Sequence, residues 1–117
     1  MVAFISKNSW SNPISSISLY LQKQKLHQLA KSQKGYRGLR AKWTLTGVYF
    51  MTLWKDEEYL NTFLSSAEVQ EVFNERIHKV EVTTLKMSAI NFIPWREVVQ
   101  LMSKNSIRVN NPETLTR

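Results

Sequence analysis

Residues 46–54, TGVYFMTLW, carry large apolar side chains at nearly every position of a predicted β-strand. A period of two divides these side chains between opposite faces, with Val48, Phe50 and Trp54 on one face and Tyr49, Met51 and Leu53 on the other. Neither face is polar, so both faces need a cover. Because 117 residues supply too little apolar helix for two covers, the pattern predicts that a second subunit covers one face.

Strand patterns also occupy three further segments, residues 1–7, 36–44 and 80–87. In the second of these, Leu39, Ala41 and Trp43 face the core and alternate with cations, which is typical of a strand near the sheet edge. Thr46 and Gly47 predict a hairpin turn or a bulge before the two-sided strand. The strands on either side of that turn should therefore be antiparallel neighbours.

Helical spacing predicts a long first helix over residues 13–34, which starts after Asn12 as N-cap and ends before Gly35. A bend or break is expected in the polar stretch 22–25. The predicted inner face consists of Ile14, Ile17, Leu21, Leu26, Leu29 and Ala30.

Three shorter helices are predicted in the second half of the chain. Acidic residues 56–58 start the first, where they face the positive end of the helix dipole. Ser65 and Glu68 match a capping box, so a separate helix starts there. Pro94 opens the last helix. The residues after Ser103 form a polar tail that we expect to fray.

The element order is therefore β, α, β, β, α, β and an added C-terminal helix. This order predicts an α+β, ferredoxin-like fold in which the helices cover one face of an antiparallel sheet. A single domain would span residues 1–103, and residues 104–117 would form the tail. Because an open apolar face of this size marks an interface, the prediction is a homodimer with a cavity between two sheets.

Charge is distributed unevenly along the chain. The net charge is +7, and the first 55 residues hold nine Lys and Arg and no acidic residue. This basic half could meet phosphates, an anionic membrane surface or a ligand carboxylate, or it could simply be solvated. The chain has no cysteine, so disulfides and thiolate sites are excluded. No signal peptide or membrane span is evident, and a cytoplasmic location is expected.

The stretch from Trp43 to Phe73 resembles the antibiotic-biosynthesis-monooxygenase-like members of the dimeric α/β-barrel superfamily. The matching positions are Thr52-Leu53-Trp54, the acidic residues 56–58, Phe63 and Ser66. Over most of residues 1–112 the chain resembles an uncharacterised bacterial family related to spheroidene monooxygenase, on the basis of Trp10, the run KGYRG at 34–38, and Pro94-Trp95. The resemblance implies a dimeric ferredoxin-like fold and a monooxygenase-like activity.

Several positions depart from the patterns of these relatives. Val69 stands near the place where the uncharacterised family carries a histidine, so a haem or metal ligand is missing there. Haem-degrading relatives use Asn, Trp and His; Asn8 could match the first, but Phe63 and Phe73 stand in place of the others. The expectation is therefore no cofactor, with haem as the alternative.

His27 and His78 are the only imidazoles, so a multi-histidine metal site within one chain is not expected. His27 lies among lysines and is interpreted as a surface residue. His78 follows a helix and could cap its C-terminus, or act as a proton donor or axial haem ligand.

Aromatic residues are the main candidates for ligand binding, although core packing is the simpler interpretation of the four tryptophans. A cavity beside the sheet would suit a flat, apolar ligand. Arginines on the second strand, Arg37 and Arg40, could hold its carboxylate or be solvated. The predicted ligand-binding set is Trp43, Tyr49, Met51, Trp54 and Arg40.

No motif of a hydrolase, nucleotide-binding or zinc enzyme is present in the chain. Cofactor-free oxygenation needs none of them, because the substrate itself carries the reactive carbanion. The first hypothesis is therefore a homodimer that binds a hydrophobic small molecule. A stronger version of this hypothesis is that the protein also oxidises the molecule. The second is a noncatalytic ligand-binding or structural dimer. The third, RNA binding, is not favoured because the run from Lys34 departs from the RNP pattern after three residues.

Overall fold

The computed structural model of the chain describes residues 1–12 and 14–116. Its elements are, in chain order, β1 (Val2–Ser9), α1 (Ile14–Lys31), β2 (Tyr36–Trp43), β3 (Gly47–Trp54), α2 (Glu57–Leu64), α3 (Ala67–Ile77), β4 (Glu81–Ser88), α4 (Trp95–Asn105), β5 (Ile107–Arg108) and a final 3₁₀ turn (Pro112–Thr116).

The strands form one antiparallel sheet in the order β2-β3-β1-β4-β5. The central strand β1 pairs with β3 from Val2 opposite Trp54 to Ser9 opposite Gly47. β2 and β3 are joined by the predicted turn and pair as antiparallel neighbours. The predicted α+β, ferredoxin-like fold is confirmed.

Side-chain caps fix where α2 and α3 begin on one face of the sheet. Asp56 accepts a hydrogen bond from the Tyr59 N–H at 3.1 Å and starts α2. Ser66 accepts one from the Val69 N–H at 3.4 Å and starts α3. The prediction of Ser65 as the cap was wrong by one residue, because the Ser65 hydroxyl instead donates to the Thr62 carbonyl at the end of α2.

The other face of the sheet is covered by α4. Val98 and Met102 of this helix pack on Tyr49, Met51 and other side chains of that face, all of them buried. The sequence-based argument that the chain has no helix for this face was therefore wrong. The cover is α4, which was predicted only as an added C-terminal helix. Its apolar stripe must be buried against another element, and the open sheet face is that element.

The N-terminal half of α1 buries a different face from the predicted one, whereas Leu26 and Ala30 are buried as predicted. The helix buries Leu19, Gln22, Leu26 and Ala30, without the predicted break, and leaves three predicted core residues exposed: Ile14, Ile17 and Leu21. The helix carries two apolar stripes, and the stripe that faces the sheet includes a polar residue, Gln22. In the N-terminal half of the helix a periodicity argument favours the purely apolar stripe, which is the exposed one.

Residues 104–116 are packed against the domain rather than frayed. β5 extends the sheet beside β4, where Arg108 is opposite Thr83. Val109 and Leu115 are buried in the core beneath the helices. Burial of these two apolar side chains stabilises a segment whose composition is otherwise polar.

Candidate functional site

A small, partly open cavity lies between the sheet and helices α1, α2 and α3. Its volume is about 30 Å³, which is room for a water molecule. Most of its lining is apolar, with two cations and two hydroxyl groups; the lining residues are Phe4, Ser6, Lys23, Leu26, Ala30, Leu39, Phe50, Thr52, Phe63, Leu64, Phe73 and Arg76. Among the described residues that line the cavity, none carries a carboxylate.

Arg76 is the most unusual of these residues, because a charged residue is here only 1% exposed. Its Nε donates to Gln22 Oε1 at 2.8 Å, and its Nη1 donates to Asn8 Oδ1 at 3.2 Å. Within the described part of the chain, Nη2 is buried and has no hydrogen-bond partner. The guanidinium also lies over the rings of Phe50 and Phe73, with its carbon 5.3 Å and 4.6 Å from their centroids.

Three elements hold this guanidinium in place. Arg76 comes from the last turn of α3, and Gln22 comes from the buried face of α1. Asn8 of β1 is itself fixed, because its Nδ2 donates to the Val48 carbonyl at 3.2 Å and to Ser6. The arrangement leaves the guanidinium little freedom to turn and satisfy Nη2 elsewhere.

The electrostatics of the site favour an anion. Burial lowers the pKa of Arg76 to about 9, so the group remains cationic at neutral pH. A buried charge without a counterion is costly, and none of the residues that line the cavity supplies one. Lys23 brings a second cation to the same cavity. An oxygen anion placed near Nη2 would remove much of this cost.

The predicted ligand-binding set does not come together in the structure. Trp43 and Trp54 lie on the face that α1, α2 and α3 cover, where Trp54 packs between Tyr36 and Phe63 with ring centroids 5.3 Å and 4.9 Å away. The Trp54 indole N–H donates to the Thr52 hydroxyl at 3.0 Å. Trp43 contacts other aromatic rings nearer the surface.

The other three members of the set lie on the α4 face. Tyr49 and Met51 are buried beneath α4, and Arg40 lies over the Phe92 ring at 4.6 Å. None of the five predicted residues lines the cavity that contains Arg76. A single cavity lined by all five is therefore incompatible with the fold.

The sequence analysis missed Arg76 and its partners, although the strand and helix patterns contain a signal for them. Ser6 and Asn8 follow Phe4 at intervals of two residues, so their side chains point to the same face of β1 as this core residue. Gln22 falls on the same helix face as Leu19. Polar residues at inward positions need buried partners, and this requirement predicts a polar cluster between β1 and α1.

The imidazoles lie outside the cavity. His27 Nδ1 is 2.8 Å from the Tyr36 hydroxyl, and burial raises the pKa of Tyr36 to about 12. His78 is the C-cap residue of α3, and a capping role for its imidazole stays a prediction. Within residues 1–12 and 14–116, no three His, Cys, Asp or Glu side chains come together as a metal site.

Haem does not fit the cavity. No histidine, cysteine, tyrosine or methionine is among the residues that line it, so it offers no axial ligand. The alternative of haem binding therefore receives no support from this site.

The fold is that of the antibiotic biosynthesis monooxygenases. SnoaB, a cofactor-independent oxygenase from Streptomyces nogalater, superimposes with a TM-score of 0.67 at 9% identity, over 80% of this chain and 96% of that chain. Rv0793 from Mycobacterium tuberculosis superimposes with a TM-score of 0.68 at 10% identity, over 80% and 98%. A third structure, an antibiotic biosynthesis monooxygenase, superimposes with a TM-score of 0.64 at 11% identity, over 78% of this chain and 100% of that chain.

Sequence comparison adds nothing to this structural likeness: no family model matches the chain, and no curated protein matches it. At these low identities the likeness establishes the fold alone. The narrower resemblance to relatives of spheroidene monooxygenase stays a prediction. Among the helices that the structure describes, none is long and apolar enough to cross a bilayer.

Proposed function

We propose that the protein is a monooxygenase-like enzyme that binds a flat, apolar small molecule between the sheet and helices α1 to α3, and that Arg76 holds an anionic oxygen of that molecule. The observation that carries this proposal is the buried Nη2 without a partner in a cavity that lacks carboxylates. The fold shared with SnoaB, a cofactor-independent oxygenase, supports the reaction class.

The cavity must open for such a ligand. Sites for small molecules usually measure roughly 300 to 1,000 Å³, against about 30 Å³ here. Lys23 on α1 and Leu39 on the edge strand β2 are only partly buried and so lie at the solvent side of the cavity. Outward movement of these two side chains is the smallest change that admits a ring.

The proposed chemistry assigns Arg76 a simple role. A ligand whose ring CH₂ group lies beside a carbonyl or phenol gives a carbanion on losing a proton, and the charge moves to the oxygen. The Arg76 guanidinium favours this anion by hydrogen bonding, which lowers the pKa of the bound acid and lets solvent take the proton. Dioxygen then oxidises the CH₂ group to a carbonyl, with one oxygen atom kept in the product and the other released as water.

Ligand binding to Arg76 is testable with a pair of probes that differ in charge. Naphthoate and naphthamide have the same ring system, but only naphthoate is an anion at neutral pH. We expect calorimetry to show tighter binding of naphthoate, and Arg76→Met to weaken it about ten- to hundredfold, since hydrogen bonds to charged groups contribute about 1.5–3 kcal/mol.

The matched control for this experiment is Lys79→Met, which removes an exposed cation outside the cavity and should leave naphthoate binding unchanged. Equal affinity for the two probes would contradict the proposed anion site. Naphthoate binding by Arg76→Met as tight as that of the wild-type protein would contradict it as well.

The second candidate is a noncatalytic binding protein that uses the same cavity. Oxygen uptake with a ring ketone or phenol that carries an acidic CH₂ group, in chelator-treated protein without flavin or nicotinamide, separates the two. Uptake that is lost in Arg76→Met supports the enzyme. Naphthoate binding without uptake of oxygen favours the noncatalytic protein and leaves the anion site intact.

RNA binding on the sheet is not favoured by the structure. Ferredoxin-like RNA-binding domains stack bases on the open face of the sheet. Here α4 covers that face, and Tyr49 is buried beneath it. The basic first half of the chain is therefore better explained by a partner that does not need an open sheet.

A homodimer in the cytoplasm remains part of the proposal. Its original reason, an uncovered sheet face, no longer applies, and the proposal now depends on the resemblance to a dimeric superfamily and on exposed apolar side chains such as Leu45 and Ile90, which are 98% and 91% exposed in loops at opposite ends of the sheet. We expect sedimentation equilibrium at micromolar concentration to give twice the chain mass. A single-chain mass would refute the dimer and leave the cavity proposal standing, because the cavity lies within one chain.

A further inference from the structure

The outer face of α1 carries an apolar ridge, which consists of Ile14, Ile17 and Leu21. Their side chains are 73%, 64% and 63% exposed. Spacings of three and four residues place all three on one side of the helix, opposite the stripe that packs on the sheet. Three neighbouring aliphatic side chains that touch water for most of their surface form a patch that needs a partner.

Aromatic rings flank one side of the apolar ridge. Ile17 shares a shallow groove with Trp10, Tyr20 and Trp43. Tyr20 and Trp43 are themselves partly exposed, and their rings are 6.5 Å apart. Partly exposed Trp and Tyr rings are the side chains most enriched at the boundary between hydrocarbon and water.

Cations flank the other side and the C-terminal end of the apolar ridge. Lys25 and Lys79 line the groove beside Leu21; Glu75 also lines it, and its carboxylate is paired to Lys79 at 3.6 Å. No acidic residue occurs on α1 itself, and Lys25 and Lys31 of this helix are exposed. The surface around the ridge therefore combines an apolar stripe with a positive field.

We propose that the apolar ridge attaches the protein to an anionic membrane surface, with α1 lying in the interface. Amphipathic helices of this kind place aliphatic and aromatic side chains among the acyl chains, and their lysines reach the lipid phosphates. A second copy of this chain is a poorer occupant, because a symmetric contact through the ridge would bring the same cations together. The proposal rests on this surface and is independent of the cavity.

Flotation with lipid vesicles tests the attachment. We expect the wild-type protein to bind phosphatidylcholine vesicles that contain phosphatidylserine, and to bind phosphatidylcholine alone weakly. The double substitution Ile17→Gln and Leu21→Gln should weaken binding to the anionic vesicles at least about tenfold, because it removes two of the inserted side chains. Salt should also weaken the binding of the wild-type protein.

The control substitution is Val99→Gln, which changes an exposed aliphatic residue on α4 and should leave vesicle binding unchanged. Brominated lipids give a second readout on the wild-type protein, because insertion of the ridge brings Trp43 near the acyl chains and quenches its fluorescence. Equal binding of the double variant, or equal binding to neutral and anionic vesicles, would overturn the proposal. A lower subunit number of the double variant without lipid would also overturn it, in favour of a second copy on the ridge.

Discussion

Replacement of Trp54 with alanine is expected to lower the free energy of unfolding by about 3–5 kcal/mol, the usual loss for truncating a buried aromatic side chain. The Trp54 side chain is fully buried between Tyr36 and Phe63, and its indole N–H is paired with Thr52. The substitution therefore removes packing on both sides of the ring and leaves a cavity. Urea unfolding followed by circular dichroism measures the loss.

Trp43→Ala is the matched control for this substitution. Trp43 was predicted in the same ligand-binding set and lies on the same sheet face, but it is 41% exposed. Its loss should cost about 1–2 kcal/mol, because less apolar surface returns to water. Equal losses for the two variants would show that burial does not separate their roles. A small loss for Trp54→Ala with loss of ligand binding would return Trp54 to the candidate site.

The order of strands and helices could be predicted from the sequence because each boundary has a local chemical cause. The alternation in residues 46–54 gives β3, and acidic residues after Lys55 start α2. The cover of the second sheet face could not be predicted in the same way. A two-sided strand shows that both faces are buried, but it does not show whether the cover is α4 or another subunit.

The error on α1 has a related cause. Both stripes of the helix have apolar spacing, and the stripe that includes Gln22 is the less apolar of the two. This stripe can face the sheet because the Gln22 amide oxygen accepts a hydrogen bond from Arg76, a residue that is distant in the sequence. A pattern within one helix contains no information on a partner that is supplied by another helix.

The five residues of the predicted ligand-binding set lie on two faces of the sheet for a reason that the sequence itself contains. Trp54 occupies an even position of β3, and Tyr49 and Met51 occupy odd positions, so alternation already separates them. These residues share a chemical type that suits a flat ligand, but a shared chemical type does not place them on one face of the sheet. The buried polar residues of β1 would have been the better guide, because inward-facing Ser6 and Asn8 require partners.

The double substitution Gln22→Leu and Arg76→Met is expected to raise the free energy of unfolding by about 1–2 kcal/mol. Replacement of a buried charged network by apolar side chains often stabilises by about 1–4 kcal/mol, but here part of that gain is offset because Asn8 Oδ1 loses its donor. Arg76 has one buried N–H group without a partner in the described residues, and no counterion lines its cavity. Burial lowers its pKa to about 9, so at neutral pH the cost of burying the charge is fully present. Urea unfolding at pH 7 measures the gain.

The single substitution Gln22→Leu gives the control, and its effect should have the opposite sign. It removes the acceptor of Arg76 Nε and leaves the charge in place, at a cost of about 1–3 kcal/mol. The advantage of the double variant should shrink as the pH rises through about 9, because the folded wild-type protein then loses the buried charge while its unfolded chain keeps the proton. A double variant less stable than Gln22→Leu would show that Arg76 is needed for folding. A stabilised double variant that no longer binds naphthoate would show that the chain keeps a costly buried cation for its ligand.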